Sequence, residues 1–426
     1  MNETKPTTRR DFVAAAAAFT IVKPELVRGS SRNSAVRMAL FGCGGRGTGV
    51  AESFTTETTA QYVALGDLFQ EQTEKTQARI NKAAEKKSKA AISPSMLFHG
   101  PRSLERLAES KDVDVIHIAT PPYFHPEHFE RAAAGKKHIY LEKPVAVDVP
   151  GAKRVMRAGE KAIANKLSVA VGFQLRHATP YVQLVERVRR GDLGTLVCGL
   201  CHYYAGAIPM PERPNASPRE RRLRNWLHDR VLSGDILVEQ NIHLIDATNW
   251  VLNGHPVKAQ GTGGRAGRTD AGDCWSHFNV NFTYPGDVHV TVTSTQFIQG
   301  PWDVAMRYFG TNGNSEMRYD APVRITGPNQ WDFPGLGAPG QVTDTQAAVA
   351  GAFKGALDDA DAMRQKHFIE SIVSGNLLAE AGRGAESTLS AILGRQAAYT
   401  GRPWTWDELL RLEEVWDAKL DVAHLG

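Results

Sequence analysis

The chain has 426 residues, 42% hydrophobic and 23% charged, an ordinary globular balance and long enough for two domains with cores of their own. Its net charge of +4 is small for that length and no Lys/Arg block or aromatic-basic stripe stands out, which argues against nucleic acid as a partner. Four cysteines (Cys43, Cys198, Cys201, Cys274) are too few for a disulfide scaffold and lack structural-zinc spacing, and no apolar run approaches the roughly 20 residues of a membrane span, so no stable membrane insertion is expected.

In chain order the first segment is TTRRDFVAAAAAFTIVKP, residues 7 to 24. Paired Arg9 and Arg10, Phe12 two residues on, and an Ala-rich, mildly apolar stretch look like a twin-arginine export signal. This reading assigns residues 1–34 to a signal and arm and predicts a periplasmic protein. No Ala-x-Ala cleavage site follows, so the segment from Lys23 to Ala35 is expected to stay on the mature chain.

VRMALFGCGGRGTGVAESF, starting at Val36, reads as a buried strand, a glycine loop and a helix. In Gly42-Cys43-Gly44-Gly45-Arg46-Gly47, Gly42 permits the tight turn, Gly44 lets backbone approach a pyrophosphate, and Gly47 lets the helix pack closely on the strand. A second strand, YVALGD, ends in Asp67, 20 residues beyond Gly47. A carboxylate there accepts hydrogen bonds from an adenosine ribose and repels a 2'-phosphate. The expected cofactor is therefore NAD rather than NADP. Only Arg46 argues for NADP, if it reaches that phosphate instead of standing solvated at the helix start.

A Lys- and Glu-rich helical segment (68 to 90) is followed by VDVIHIATPP, PEHFERAAAGK and HIYLEKP, read as strand, helix capped by Gly135, and strand. Such alternation builds a parallel sheet with ligands at the carboxyl ends of its strands. Thr120, Pro121 and Pro122, and Glu142, Lys143 and Pro144, should face the cofactor. The fold class is thus α/β: a Rossmann-type, doubly wound parallel sheet over residues 35–160. In LSVAVGFQLRH, residues Gln174, Arg176 and His177 are placed to reach the nicotinamide or a sugar hydroxyl.

TLVCGLCHYYA contains Cys198-Gly199-Leu200-Cys201-His202, the spacing of covalent haem attachment. Its Val- and Tyr-rich composition makes it a strand instead. Residues three apart in a strand point to opposite faces with Cα atoms roughly 10 Å apart; a disulfide needs under about 7 Å, and haem held by both sulfurs fits no better. MPERPNASPRERRLRNWLHDR reads as a Pro-rich, basic, irregular insert ending at Trp226, either a lid whose Trp226 stacks on a sugar ring or a surface loop with one buried Trp. SGDILVEQNIHLIDATNWVLNG (233 to 254) fits one apolar helical stripe with Ser233 or Asp235 capping its start and Asn253-Gly254 its end. Glu239 and His243, four apart, would share a face with Asp246 three residues on. They fit a metal site, a salt-bridged helix surface or a catalytic pair. With no second ligand cluster, no metal is expected.

From Pro256 the pattern changes to strand repeats. Val288, Val290 and Val292 alternate with His289, Thr291 and Thr293, as in antiparallel strands with one polar face. HFIESIVSGN and TLSAILGRQAAYTGRP are helical and are expected to pack back on the first domain. Residues 161–426 thus form an α+β domain with a large, open, mainly antiparallel sheet.

The glycine loop, TPPYFHPEHF and LEKPVA, in this order and spacing, resemble the Gfo/Idh/MocA family (glucose-fructose oxidoreductase / inositol dehydrogenase), from about Val36 to the C-terminus. The resemblance implies that Thr120, Pro121, His125, Glu142, Lys143 and Gln174 join the loop in holding the cofactor, and that the second domain supplies the contacts of a homo-oligomer. It places Lys143 beside the nicotinamide and the reacting hydroxyl, where a compact cation stabilises charge developing on oxygen. The segment around His243 is similar to the family's Asp-x-x-x-His pattern, in which the histidine works with the lysine in proton transfer. Glu239 stands where the aspartate usually does. Substrate contacts fall to Lys143, Arg176, Trp226, Glu239 and His243.

The reading that follows is an exported oxidoreductase moving hydride between a hydroxyl of a sugar, polyol or glycoside and a tightly held NAD(H). One alternative is an NAD-dependent glycoside hydrolase or lyase that oxidises its sugar transiently and eliminates the glycosidic bond. Another is a non-catalytic, NAD-holding sugar-binding protein.

Overall fold

The computed structural model of the chain describes residues 35–298, 302–336 and 355–424; the Arg9-Arg10 segment lies outside them. The apolar runs of the first third become β1 (Arg37–Phe41), β2 (Gln61–Asp67), β3 (Leu97–His99), β4 (Val115–Ile118), β5 (His138–Leu141) and β6 (Val169–Val171), all parallel, in the order β3-β2-β1-β4-β5-β6. Helices cover both faces, so inward and outward positions alike are apolar: Met38, Ala39, Leu40, Val115 and Ile116 are completely buried. Strand order reverses between β1 and β4. At such a switch point the loops diverge and leave a crevice.

Two glycines shape that crevice. Gly42 has φ +97°, and a Cβ on it would lie 2.6 Å from the Ala119 carbonyl carbon at the end of β4. A Cβ on Gly47 would lie 2.3 Å from the Gly42 oxygen. The loop can press on β4, and the helix Gly45–Glu57 on the loop, only because both side chains are missing.

The second sheet has nine strands: β7 (Leu196–Gly206), β8 (Lys258–Gly264), β9 (His277–Tyr284), β10 (Val288–Ile298), β11 (Asp303–Gly310), β12 (Gly313–Arg318), β13 (Val323–Thr326), β14 (Trp331–Asp332) and β15 (Trp404–Thr405). Their order is β14-β13-β12-β11-β7-β10-β9-β8-β15. All pairings are antiparallel except β7 with β10. The Cys-x-x-Cys-His stretch lies in β7. Cys201 is buried near Thr248 and Tyr308 while Cys198 is half-buried, and neither forms a disulfide.

The C-terminal helices pack on the first sheet's layer. A Cβ on Gly159 would lie 2.3 Å from that of Ala381, so the helix Ala381–Thr400 lies hard against the helix Val149–Ala164. From the helix Ala360–Ser374, Gln365 accepts a hydrogen bond from Ser53 at 2.8 Å.

Two local expectations are corrected. The stripe from Ser233 to Gly254 is not one helix: it breaks into Arg230–Ser233, Ile236–Glu239 and Ile242–Leu252. Gly234 (φ +86°) and Asp235 (φ +68°) are left-handed, and the Asp235 carboxylate accepts from the Ile236 amide at 2.7 Å, restarting the chain as a cap. The Pro-rich stretch is likewise not irregular throughout. Ser217 caps a helix Pro218–Arg224, with its hydroxyl accepting from the Glu220 amide at 3.2 Å.

Candidate active site

The crevice above β1 and β4 is a cavity of about 380 Å³. Gly42, Gly44 and Gly45 form one wall, Asp67 and Phe69 another, and Ala119, Thr120 and Pro121 a third. A Cβ on Gly44 or Gly45 would meet nothing within 4 Å, so backbone borders open space there. The helix Gly45–Glu57 starts with no side-chain cap, leaving its first amides available to an anion. These residues fit the pyrophosphate and adenosine ribose of a dinucleotide.

Asp67 stands at the ribose end. Its carboxylate accepts from the amides of Cys43 at 2.7 Å and Phe69 at 3.0 Å; burial nevertheless raises it above the ordinary carboxylate value. Cys43 thus contributes its amide to the loop, while its thiol is buried against the Gly66 carbonyl. Asp67→Ala is expected to weaken NAD binding about tenfold, by loss of charge-assisted hydrogen bonds, and to narrow the preference over NADP. Fluorescence titration with both nucleotides reads this directly, and an unchanged NAD affinity would remove Asp67 from the site.

Arg46 neither stands solvated nor is left for a 2'-phosphate. Its Nη1 lies 3.1 Å from Asp361 Oδ2, its Nη2 3.2 Å from Gln174 Oε1, and its Nε 3.4 Å from Glu142 Oε1. Arg364 donates to Asp361 at 2.7 Å and lies 3.7 Å from Glu142. Burial pushes the Glu142 carboxyl up, but Arg46 and Arg364 outweigh it and hold it below the usual carboxylate value. Two guanidiniums balance two carboxylates in a largely dry setting. Asp361→Ala removes one and should cost about 3–5 kcal/mol, whereas Glu127→Ala, which breaks an exposed pair with Arg131, should cost under about 1 kcal/mol. Thermal denaturation of the two variants compares them; equal midpoints would mean the four-charge cluster contributes no more than a surface pair.

Lys143 follows β5, and its Nζ donates to the backbone carbonyl of Glu239 and, at 2.9 Å, to Glu239 Oε1. His243, in the first turn of Ile242–Leu252, is buried. Burial, together with the charges of Lys143, Arg46 and Arg364, holds its pKa well below the ordinary 6.5, so the ring is neutral near pH 7 and can accept a proton. Among the described residues, His243 Nδ1, Glu239 Oε2 and both amide atoms of Asn241 are buried without a hydrogen-bond partner. Hydroxyls of a ligand would satisfy such groups. Lys143, Glu239 and His243 do not line the 380 Å³ cavity, whose wall includes the adjacent Thr120 and Pro121.

Other expected contacts lie elsewhere. Arg176 donates from Nε at 2.9 Å and from Nη2 at 2.9 Å to the Asp246 carboxylate, which also accepts from Ser387. Arg176 is thereby held in a buried ion pair with Asp246, and among the described residues no group of three or more His, Cys, Asp or Glu side chains is arranged to hold a metal. Trp226 lines the glycine-loop cavity. His177 lies against His367, ring nitrogens 3.1 Å apart. His125 nitrogens lie 2.7 Å from the carbonyl oxygens of Thr120 and Pro144, so it positions the ends of β4 and β5.

Comparison with protein families matches residues 36–173 to the oxidoreductase family's NAD-binding Rossmann fold, GFO/IDH/MocA, and residues 181–316 to the GFO/IDH/MocA C-terminal domain. The chain belongs to the GFO/IDH/MocA family. Among curated relatives, inositol 2-dehydrogenase of Salmonella typhimurium is 30% identical over 148 residues, 34% of this chain and 38% of that protein. A glycosyl hydrolase family 109 protein of Solibacter usitatus is 29% identical over 175 residues, 40% of this chain and 37% of that protein. These alignments thus span less than two fifths of the relatives' own length. The crystal structure of aldose-aldose oxidoreductase from Caulobacter crescentus complexed with glycerol superposes with TM-score 0.65 at 19% identity, covering 87% of this chain and 99% of that one; at this identity it shows the fold alone.

Within this GFO/IDH/MocA chain, sequence reasoning passed over Asn241, Arg213, Asp361 and Arg364. Asp361 and Arg364 did leave a signal, an acid and a base three apart, just before the segment from His367 read as helix. Nothing in sequence placed that pair beside Glu142.

Proposed function

We propose that the protein oxidises or reduces a CH–OH group of a sugar, polyol or glycoside, as an exported, homo-oligomeric enzyme that retains its NAD(H). The observation that carries this reading is Lys143 and Glu239 in contact with a buried, neutral His243 close by. NAD, when bound, supplies the hydride acceptor. A substrate hydroxyl entering between Lys143 and His243 accepts a hydrogen bond from Lys143 Nζ and gives its proton to the His243 ring. Glu239 orients Lys143 through its Oε1 and has Oε2 left for a second hydroxyl. The names of the similar proteins, an inositol dehydrogenase and an aldose-aldose oxidoreductase, support a polyhydroxylated substrate.

Export, suggested by Arg9-Arg10, supports retention, because free nicotinamide is not expected outside the cytoplasm. Retention in turn favours ping-pong exchange between two sugars. Leu200 of β7 is 51% exposed, on the face opposite buried Cys201 and Tyr203, which supports a subunit contact on that open face; light scattering of the purified protein tests it.

The absorbance of purified protein tests the main reading. A band near 340 nm that survives gel filtration, rises with one sugar and falls with a ketose is expected. Protein that emerges without nucleotide and turns over only with added NAD would overturn retention. The family 109 similarity supports a second reading, redox-neutral glycoside cleavage: release of aglycone with no net change at 340 nm would favour it.

A further inference from the structure

The glycine-loop cavity is not closed by the Rossmann domain alone. Arg213, Leu223, Arg224 and Trp226 from the Pro-rich stretch and Val422 from the chain's last described segment line it as well. Their seating is specific. The Arg224 guanidinium lies 3.5 Å from the Phe69 ring centroid, two residues beyond Asp67, and pairs with Glu71 at 2.6 Å and Glu220 at 2.7 Å. Leu223, Leu232 and Ala418 form an apolar cluster against which Leu68, Phe69 and Tyr123 pack. Arg222 donates to the Ala418 carbonyl, and the Trp416 amide donates to Asp148 at 2.8 Å.

Charge on this wall is uneven. Arg224 has two carboxylates. Arg213 pairs with none among the described residues, and its Nε is buried without an acceptor. Its guanidinium shares a cavity with the glycine loop and an uncapped helix start, where a planar cation with unused donors suits a phosphate oxygen.

We infer that residues 210–228 and 416–422 form a clasp over bound NAD(H), in which Arg213 takes a pyrophosphate oxygen and the Arg224–Glu71 pair latches the clasp to the helix after β2. This rests on NAD(H) occupying the glycine-loop cavity, and it supplies a physical basis for retention. Exchange of the nucleotide then requires the Arg224–Glu71 pair and the Phe69 contact to open together.

The experiment uses the full chain. NADH bound to the purified protein is chased with excess NAD and its release is followed by fluorescence, alongside the nucleotide content left after gel filtration. Arg213→Gln and Glu71→Ala are each expected to speed release, Arg213→Gln by about ten- to a hundredfold, the equivalent of one charge-assisted hydrogen bond, with thermal midpoints near wild type. Arg324→Gln, which breaks the Arg324–Glu316 pair of the second sheet, should release at the wild-type rate. Arg213→Lys keeps the charge without the fork and should fall between. If Arg213→Gln and Glu71→Ala release NADH as slowly as wild type, the clasp is overturned. If wild type purifies empty but Arg213→Gln weakens added NADH tenfold, the clasp stands and only retention fails.

Discussion

Lys143→Ala is expected to lower single-turnover hydride transfer by about a thousandfold or more while nucleotide binding stays near wild type. Positioned donors at a developing oxyanion and positioned acid–base groups are each worth about 10²- to 10⁴-fold, and Lys143 Nζ is the cation placed to do the first next to a histidine placed to do the second. The two readouts separate because Lys143 does not line the glycine-loop cavity. Substitution also leaves Glu239 without its cation, so Lys143→Arg serves as control: it keeps the charge but not the compact ammonium, and activity should recover only in part. Stopped-flow absorbance at 340 nm reads the chemical step. If Lys143→Ala transfers hydride at the wild-type rate, the assignment of Lys143, and with it that of the neighbouring histidine, is wrong.

The second large effect concerns acid stability. His117 and His125 are buried and His128 is half-buried at the cavity wall; desolvation lowers their pKa values to about 3, about 4 and about 3. His117 accepts or donates at 2.9 Å to the Tyr62 hydroxyl, and His128 likewise to Thr120. In the unfolded chain each takes a proton below about pH 6.5. The folded pKa is depressed, so the unfolded state binds more protons between about pH 6.5 and pH 4. Stability is complete above that window and is lost as pH falls through it. The loss at pH 5 is about 2 kcal/mol per histidine and about 6 kcal/mol for the three. Depressed carboxylates such as Glu142 and Asp114 add their loss only lower down, near pH 4 and below. Thermal midpoints at pH 7.5, 6 and 5 should fall progressively, and His117→Gln should flatten the slope. A midpoint that stays constant from pH 7.5 to 5 would contradict burial of these rings as neutral groups.

Read in sequence alone, the chain determined what depends on neighbours within one supersecondary unit. Strand, glycine loop and helix from Val36 to Phe54 are a contiguous βα unit, so Gly42, Gly47 and Asp67 carry their geometry locally: a tight turn, a close helix, a carboxylate at the next strand's end. Lys143 was legible as a residue just after a parallel strand, with its role implied by the family resemblance, but its side chain meets Glu239 and does not line the crevice. The strand reading of Cys198 to His202 also needed only period-two geometry.

Tertiary structure decided the partners. Arg46 meets Asp361 across 315 positions of sequence, Lys143 meets Glu239 across 96, and Arg176 meets Asp246 across 70. No local pattern chooses among the many acids available to each base; the tertiary packing of the helix Ala360–Ser374 and of the segment 236–252 does. Trp226 shows the same limit in the other direction. Its aromatic, Pro-rich setting did not say which cavity it borders; packing seats Arg224 on Phe69 beside Asp67 and brings Trp226 to the wall of the glycine-loop cavity. Asp235 caps the start, as the sequence allowed, but the helix ends at Glu239 and restarts at Ile242, across Gln240 and Asn241, where apolar periodicity alone predicted continuity. Periodicity reports which faces are apolar, and long-range charge pairing reports which faces meet.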